Sequence, residues 1–375
     1  MLGRDINQIF LYELLKNFAL SLIGVFIPIY ILSQGLPIYH AALFIVVSGF
    51  TGVLLSYPIS RVVSAKGFKH GLVASYFFMV PGLILIRSFE LTIPVIIASS
   101  LAYNIGRVTH NICLNSEFAV DSEKDTRGSD SGKMLSLPSI SRVIAPFLGG
   151  IVFASMGFDA LLLIALVFLF TSIIPLLASE DHRDPMEYSF IDIFEREHLR
   201  SVPLFLIRGI QAVTAVSVFG LFIYTQVGGA LEVGWARALD SLGFVVTGLF
   251  TGKIIEKYGD RVAVLTGTLG AAAVHLSRSL VALPSQAFAV SFVGGIFFQI
   301  YHVPVYRKFA DTAEDEDILE YYALRKIFVS LGNILTVATL ITGYVLFNPW
   351  TGFAMTFLLA AASTLAMNLF TRKIQ

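Results

Sequence analysis

Tyr103, Asn104, Arg107, His110, Asn111 and Glu117 stand in one otherwise apolar stretch, separated mostly by helical three-, four- and seven-residue steps. A helix places them along a single stripe. Charge inside a membrane costs several kcal/mol unless it meets a cavity or a partner, so this stripe faces an interior. A second stretch repeats it more weakly with Gln299, His302 and Tyr306, and two others carry Glu13, Lys16, Asn17 and Arg208, Gln211, Thr214. Arg142 lies deep in a further apolar run. Guanidinium groups keep their charge and grip carboxylate or phosphate in a two-pronged fork, so the chemistry offered is recognition of an anion rather than bond-making. The candidate substrate-binding residues are Tyr103, Asn104, Arg107, His110, Arg142, Arg208, Gln211, Gln299 and His302.

Each has a blander reading. Lys16 is close to a span end, where its stem can snorkel to the cytoplasmic edge. His110 and His302 could equally be neutral and hydrogen-bonded in a packed interface. Arg237 and Asp240, at i and i+3, are expected to pair near the outer surface, with a proton-carrying Asp240 as the other reading. Glu13 and Glu117 are the only candidate deep carboxylates, which leaves a histidine, or nothing, to carry a coupling proton.

Other chemistries drop out. Gly128 to Met134 mimics a phosphate loop, but it is one residue short between its glycines and has Met134 where Ser or Thr must hold magnesium. No dinucleotide fingerprint, His-Glu-x-x-His or nucleophile elbow occurs. The seven His show no metal-ligand spacing, Cys113 is the single cysteine, and the net charge of zero gives no field for nucleic acid. Neither an enzyme nor an ATP-driven pump has a site here, and no cofactor or metal is implied.

The elements that position these residues must be membrane helices. Hydrophobic residues make up 56% of the chain and charged residues 14%, with mean hydropathy +0.77. Soluble domains are usually about 45–50% apolar. Runs of about twenty residues cross a hydrocarbon core about 30 Å thick. Twelve are predicted: 13–32, 41–61, 71–86, 93–114, 134–155 and 160–178, then 202–226, 235–255, 262–283, 286–306, 324–347 and 352–369. Lys and Arg gather in the even-numbered connections, among them Arg61, Lys66, Lys69, Lys253, Lys257 and Arg261, which places those connections and both termini in the cytoplasm. The odd connections hold only Arg87, Arg237 and Arg278 near their ends. The polar stretch 179–201 separates halves 1–178 and 202–375, and its Phe190, Ile193 and Phe194 predict a short amphipathic tether at the membrane surface.

The halves repeat one another. Lys16 and Arg208, Gly67 and Gly259, His110 and His302, and Lys133 and Arg325 are each 192 residues apart. Parallel duplication is a known way to build a transporter around a site between its halves.

Two motifs carry a family resemblance. The run Gly252-Lys-Ile-Ile-Glu256-Lys257-Tyr-Gly259-Asp260-Arg261 resembles the cytoplasmic loop signature of the major facilitator superfamily. Its first glycine lets helices approach, its second permits a φ > 0 turn, and Glu256 at a helix end can latch onto bases in one conformation. The copy in the first half keeps Gly67, Lys66 and Lys69, with Ser60 and Ser64 replacing the first glycine and the acid. Gly67, Gly252, Glu256, Lys257, Gly259 and Arg261 are the candidate gating residues. Ser141-Arg142-Val-Ile-Ala145-Pro146-Phe-Leu-Gly149-Gly150 is similar to the fifth-helix signature that the superfamily associates with exporters, and close packing with a bend explains it equally.

The resemblance implies an all-α membrane protein of twelve transmembrane helices in two six-helix halves related by pseudo-two-fold symmetry. The first, fourth, seventh and tenth spans would line its cavity. It implies a monomeric secondary transporter that moves a small solute across the cell membrane by alternating access, with the lipid bilayer and a coupling proton or ion as its other partners. The charge argument makes that solute an organic anion. The alternatives are antiport of hydrophobic or drug-like compounds, and a transport-inactive receptor or scaffold.

Overall fold

Long apolar runs punctuated by single glycines fold as helix after helix. The computed structural model describes residues 2–121, 127–177, 199–314 and 318–371, and every regular element among them is helical. The elements are α1 (Leu2–Ile23), α2 (Phe26–Ser33), α3 (Ile38–Lys66), α4 (Phe68–Ser88), α5 (Ile93–Asp121), α6 (Arg127–Leu177) and α7 (Val202–Val213). Two π-helical stretches, Thr214–Val218 and Ile223–Val227, then flank the single turn α8 (Phe219–Phe222). The remaining elements are α9 (Ala230–Arg278), α10 (Pro284–Glu314), α11 (Ile318–Leu346) and α12 (Pro349–Thr371). The side chains of Glu117 and Lys133 and the predicted tether at 179–198 lie outside the described residues.

Nine helical segments among the described residues are long and apolar enough to cross a membrane. Two of them differ from the predicted division. The runs 134–155 and 160–178 appear as one helical trace, α6, broken only at Gly157 (φ 82°). Likewise 235–255 and 262–283 are joined in α9 and broken at Gly259 (φ 79°). The sequence boundaries anticipate loops; a single left-handed glycine makes each turn instead. Gly67 does the same between α3 and α4 with φ 104°. The two glycines of the 192-residue register therefore share the conformation that only a residue without Cβ adopts cheaply.

Packing follows the register as well. In the first half α1 packs on α6, α4 on α5 and α3 on α5; in the second α7 packs on α11, and the two legs of α9 pack on α10. Across the halves α3 lies on α11 and α6 on α9. Backbones meet closely where side chains vanish. A Cβ on Gly150 would come 3.0 Å from Gly234 Cα, and one on Gly234 would come 2.7 Å from Pro146 O. The small residues of the fifth-helix motif thus serve packing, as in other lipid-embedded interfaces, while the break in α6 falls at Gly157 and not at Pro146.

Candidate functional site

Two polar centres occupy the interior. The first is built by α1 and α5. Lys16 Nζ donates to Glu13 Oε1 at 3.0 Å, His110 Nε2 lies 3.1 Å from the same oxygen, and Lys16 Nζ also touches His110 Nε2. Tyr12 OH is 2.7 Å from His110 Nδ1, and Asn17 Nδ2 donates to Glu13 Oε2 at 2.6 Å. Glu13, Lys16 and His110 are all at most 5% exposed. Lys16 therefore does not snorkel: its ammonium is drawn inward because a carboxylate one turn away repays its desolvation. Nearby, Asn104 accepts from Ser48 Oγ at 2.6 Å, and Arg107 reaches over the buried Tyr103 ring at 5.7 Å. The chain itself answers the charges of the triad.

The second centre is a cavity of about 170 Å³ enclosed by α6, α7, α9 and α10. Arg208 comes from α7 and lies 4.5 Å over Phe298; Arg142 comes from α6 and lies 5.5 Å over Phe244. Arg237 and Asp240 pair at 2.8 Å, as their spacing predicts, and both line this cavity. Arg278, read in the sequence as a charge at a span end, is 2% exposed and also lines it. Its Nη1 is 3.1 Å from His275 Nδ1, its guanidinium lies 4.6 Å over Phe219, and its Nε has no hydrogen-bond partner. Gly294 keeps the space beside it open. A Cβ there would lie 3.5 Å from Arg278 Nη2 and 3.8 Å from Asp240 Oδ1. Among the described residues the lining thus holds four guanidinium groups, Arg142, Arg208, Arg237 and Arg278, against the carboxylate of Asp240. Aromatic faces hold several of these cations in place without neutralising them.

The predicted site residues divide between the two centres. Arg142, Arg208 and Gln211 line the cavity. Gln211 is committed to the scaffold, accepting from Tyr301 OH at 3.0 Å and donating to Thr364 Oγ1 at 2.9 Å. His110 belongs to the triad and Tyr103, Asn104 and Arg107 lie near it; none of the four lines the cavity. His302 stacks on Phe298 at 4.9 Å just outside the lining, and Gln299 is buried with its Oε1 unpartnered. Arg237, Asp240, His275 and Arg278 were missed as site residues. The signal that could have found them is their spacing, since each pair sits three residues apart at one end of an apolar run.

At the Gly252–Arg261 signature, Gly259 makes the predicted turn. Gly252 has nothing within 4 Å of where a Cβ would be, so close approach is not its role here. Glu256 is exposed, as are Lys257, whose ammonium is 5.0 Å from the Tyr258 ring, and Arg261. The ion pair at this loop joins Asp260 to Arg307 of α10. In the first-half copy, Ser64 Oγ donates to its own helix at Arg61 O, 3.1 Å away.

Residues 203–373 match the family model of the Major Facilitator Superfamily. The chain superposes on a POT family transporter solved with 5-aminolevulinic acid, with TM-score 0.81, 12% identity and coverage of 99% of this chain and 97% of that one. It is similar to a POT family transporter solved with a thioalcohol-conjugated peptide, with the same four values. A peptide transporter POT in complex with sulfate aligns with TM-score 0.76 and 12% identity, over 99% of this chain and 94% of that one. Among curated proteins none matches the chain. Residues 203–373 thus carry the sequence signature of the Major Facilitator Superfamily, and the fold of the POT family transporters extends over the whole length of the chain.

Proposed function

We infer that the chain is a secondary transporter for a small organic anion, built of twelve spans in halves 1–178 and 202–375, which rock about the connection 179–201. Helices of 51 and 49 residues, as in α6 and α9, would be roughly 75 Å long if straight, more than twice the hydrocarbon thickness. Each is broken by one glycine, which supports reading each as two traverses. The Lys and Arg distribution supports cytoplasmic termini.

The observation that carries the anion reading is the charge of the cavity. Among the described residues Arg208, Arg237 and Arg278 face one carboxylate, Asp240, in a low-dielectric interior, where unanswered charge is expensive. The 192-residue register sharpens this. The partner of Lys16 is Arg208, but the partner of Glu13 is Phe205. In the first half an internal carboxylate answers the base; in the second the matching position is the phenyl ring of Phe205, and a bound carboxylate or phosphate would supply the counter-charge. The solved relatives were bound to 5-aminolevulinic acid, which bears a carboxylate, and to sulfate, which agrees in chemistry.

Counterflow in proteoliposomes tests the reading, using small carboxylates and phosphate esters against their neutral amides and alcohols. Anions should exchange and neutral analogues should not. Equal exchange of both, or exchange indifferent to Arg208→Gln and Arg278→Gln, would overturn it; no exchange of any anion would favour a receptor role.

A further inference from the structure

The cavity that holds Arg208 has a recess at Gly294. On α10, Gly294 and Phe298 both line the cavity and stand four residues apart, on one face of the helix. The Arg208 guanidinium lies over Phe298. One turn away, the missing side chain of Gly294 leaves a notch bordered by Arg278 Nη2 and Asp240 Oδ1, which are 3.5 and 3.8 Å from the place a Cβ would take. A base and an acid therefore share one small space.

The acid in this notch is half used. Asp240 Oδ2 accepts from Arg237 Nη1 at 2.8 Å, whereas Oδ1 has no hydrogen bond among the described residues and the side chain is 23% exposed. An open carboxylate oxygen in a low-dielectric interior calls for a donor. Hydroxyl and ammonium both qualify, and charge separates them. Asp240 is already answered by Arg237, and Arg208 and Arg278 line the same cavity, so an ammonium would add one more cation among like charges. A hydroxyl donates without adding charge. The register on α10 also sets its distance from the anionic group. Residues four apart on a helix have Cβ positions about 5–6 Å from each other. A hydroxyl on the carbon beside a carboxylate falls well short of that span; one at the far end of a four-carbon acid comes close to it.

We propose, resting on the anion reading, that the solute is a hydroxylated anion: Arg208 holds its charged group, and a hydroxyl several bonds away enters the notch at Gly294 and donates to Asp240 Oδ1. Butyrate, 2-hydroxybutyrate, 4-hydroxybutyrate and 4-aminobutyrate are the probes, titrated calorimetrically into the purified full chain in detergent. Wild type should bind 4-hydroxybutyrate about tenfold more tightly than butyrate, as a hydrogen bond to a charged group commonly gives, with 2-hydroxybutyrate close to butyrate. Gly294→Ala keeps the Arg237–Asp240 pair and puts a methyl in the notch, with a small shift of Val274 Cγ1 from 3.2 Å. It should bring the ratio of 4-hydroxybutyrate to butyrate affinity to about one, and Asp240→Ala should do the same. A wild-type ratio near one, or a tenfold ratio that survives Gly294→Ala, would overturn the hydroxyl assignment while butyrate binding leaves the anion reading standing. Tighter binding of 4-aminobutyrate than of 4-hydroxybutyrate would overturn it in favour of a zwitterion. Binding of none of the four would overturn it too, and counterflow with phosphate esters then decides the anion reading separately.

Discussion

Glu13 holds Lys16 at 3.0 Å inside the first half, and the residues 192 positions on from this ion pair are Phe205 and Arg208, a phenyl ring and a base with no carboxylate between them. Removing one member of a buried pair strands the other. Glu13→Gln is expected to cost about 3–5 kcal/mol, and Glu13→Gln combined with Lys16→Met distinctly less, because the double change leaves no stranded ammonium. Thermal unfolding in detergent checks the order. A double variant less stable than Glu13→Gln alone would contradict it.

The same comparison is the ground on which Arg208 is proposed as a binding residue rather than a structural one. Arg208→Gln should weaken anion binding by about 30-fold, equivalent to about 2 kcal/mol, while leaving the fold in place. Arg208→Lys should fail to restore it, since an ammonium neither forks onto a carboxylate nor lies flat over Phe298. Titration of a carboxylate ligand into purified variants measures both, and full rescue by Lys would sink the role assigned to the planar group.

The two glycines of the Gly252–Arg261 signature should separate cleanly. Gly259→Ala forces a Cβ into φ 79° and is expected to destabilise by about 1–2 kcal/mol. Gly252→Ala meets nothing within 4 Å on a helical backbone and should be neutral, or stabilise by up to about 1 kcal/mol. Urea or thermal denaturation of the two variants in detergent tells them apart, and equal effects would refute the backbone argument.

Where α6 crosses α9, a side chain on Gly234 has no room. Gly234→Leu should pry Pro146 and Gly150 away from α9 and hold the halves apart on that side. Cysteines placed on either side of the junction should become accessible to a hydrophilic thiol reagent, with exchange reduced while ligand binding survives. Unchanged accessibility would mean that the junction yields elsewhere.

Much of this was legible in the sequence, for physical reasons that can be named. Arg142 and Arg208 announce themselves because permanent charge deep in an apolar run demands an explanation. Gly67 and Gly259 do so because a left-handed turn leaves few other choices. Arg278 and Asp240 were hidden by their place near the ends of apolar runs, where a charge ordinarily means nothing more than water. The direction of the α5 stripe was equally out of reach: spacing puts His110 and Arg107 on one face of α5, but only packing reveals that His110 meets Tyr12 and Lys16 rather than the Arg208 cavity.

The π-helical stretches Thr214–Val218 and Ile223–Val227 have a bearing on how the two halves came to differ. Each wide turn closes on the fifth residue instead of the fourth and so takes in one residue more than an α-turn. Two such turns lengthen this helix by two residues relative to its counterpart, α1 with α2. The connection that follows is shorter by the same number: Gly228 and Gly229 stand where the first half has Gln34, Gly35, Leu36 and Pro37. Ile38 and Ala230, the first residues of the next helices, are consequently still 192 apart. Residues have passed from loop into helix without disturbing anything downstream. Arg208 and Gln211 stand on the α-helical stretch before the first wide turn, so the extra residues are taken up on the far side of them and leave their place in the 192-residue register unchanged.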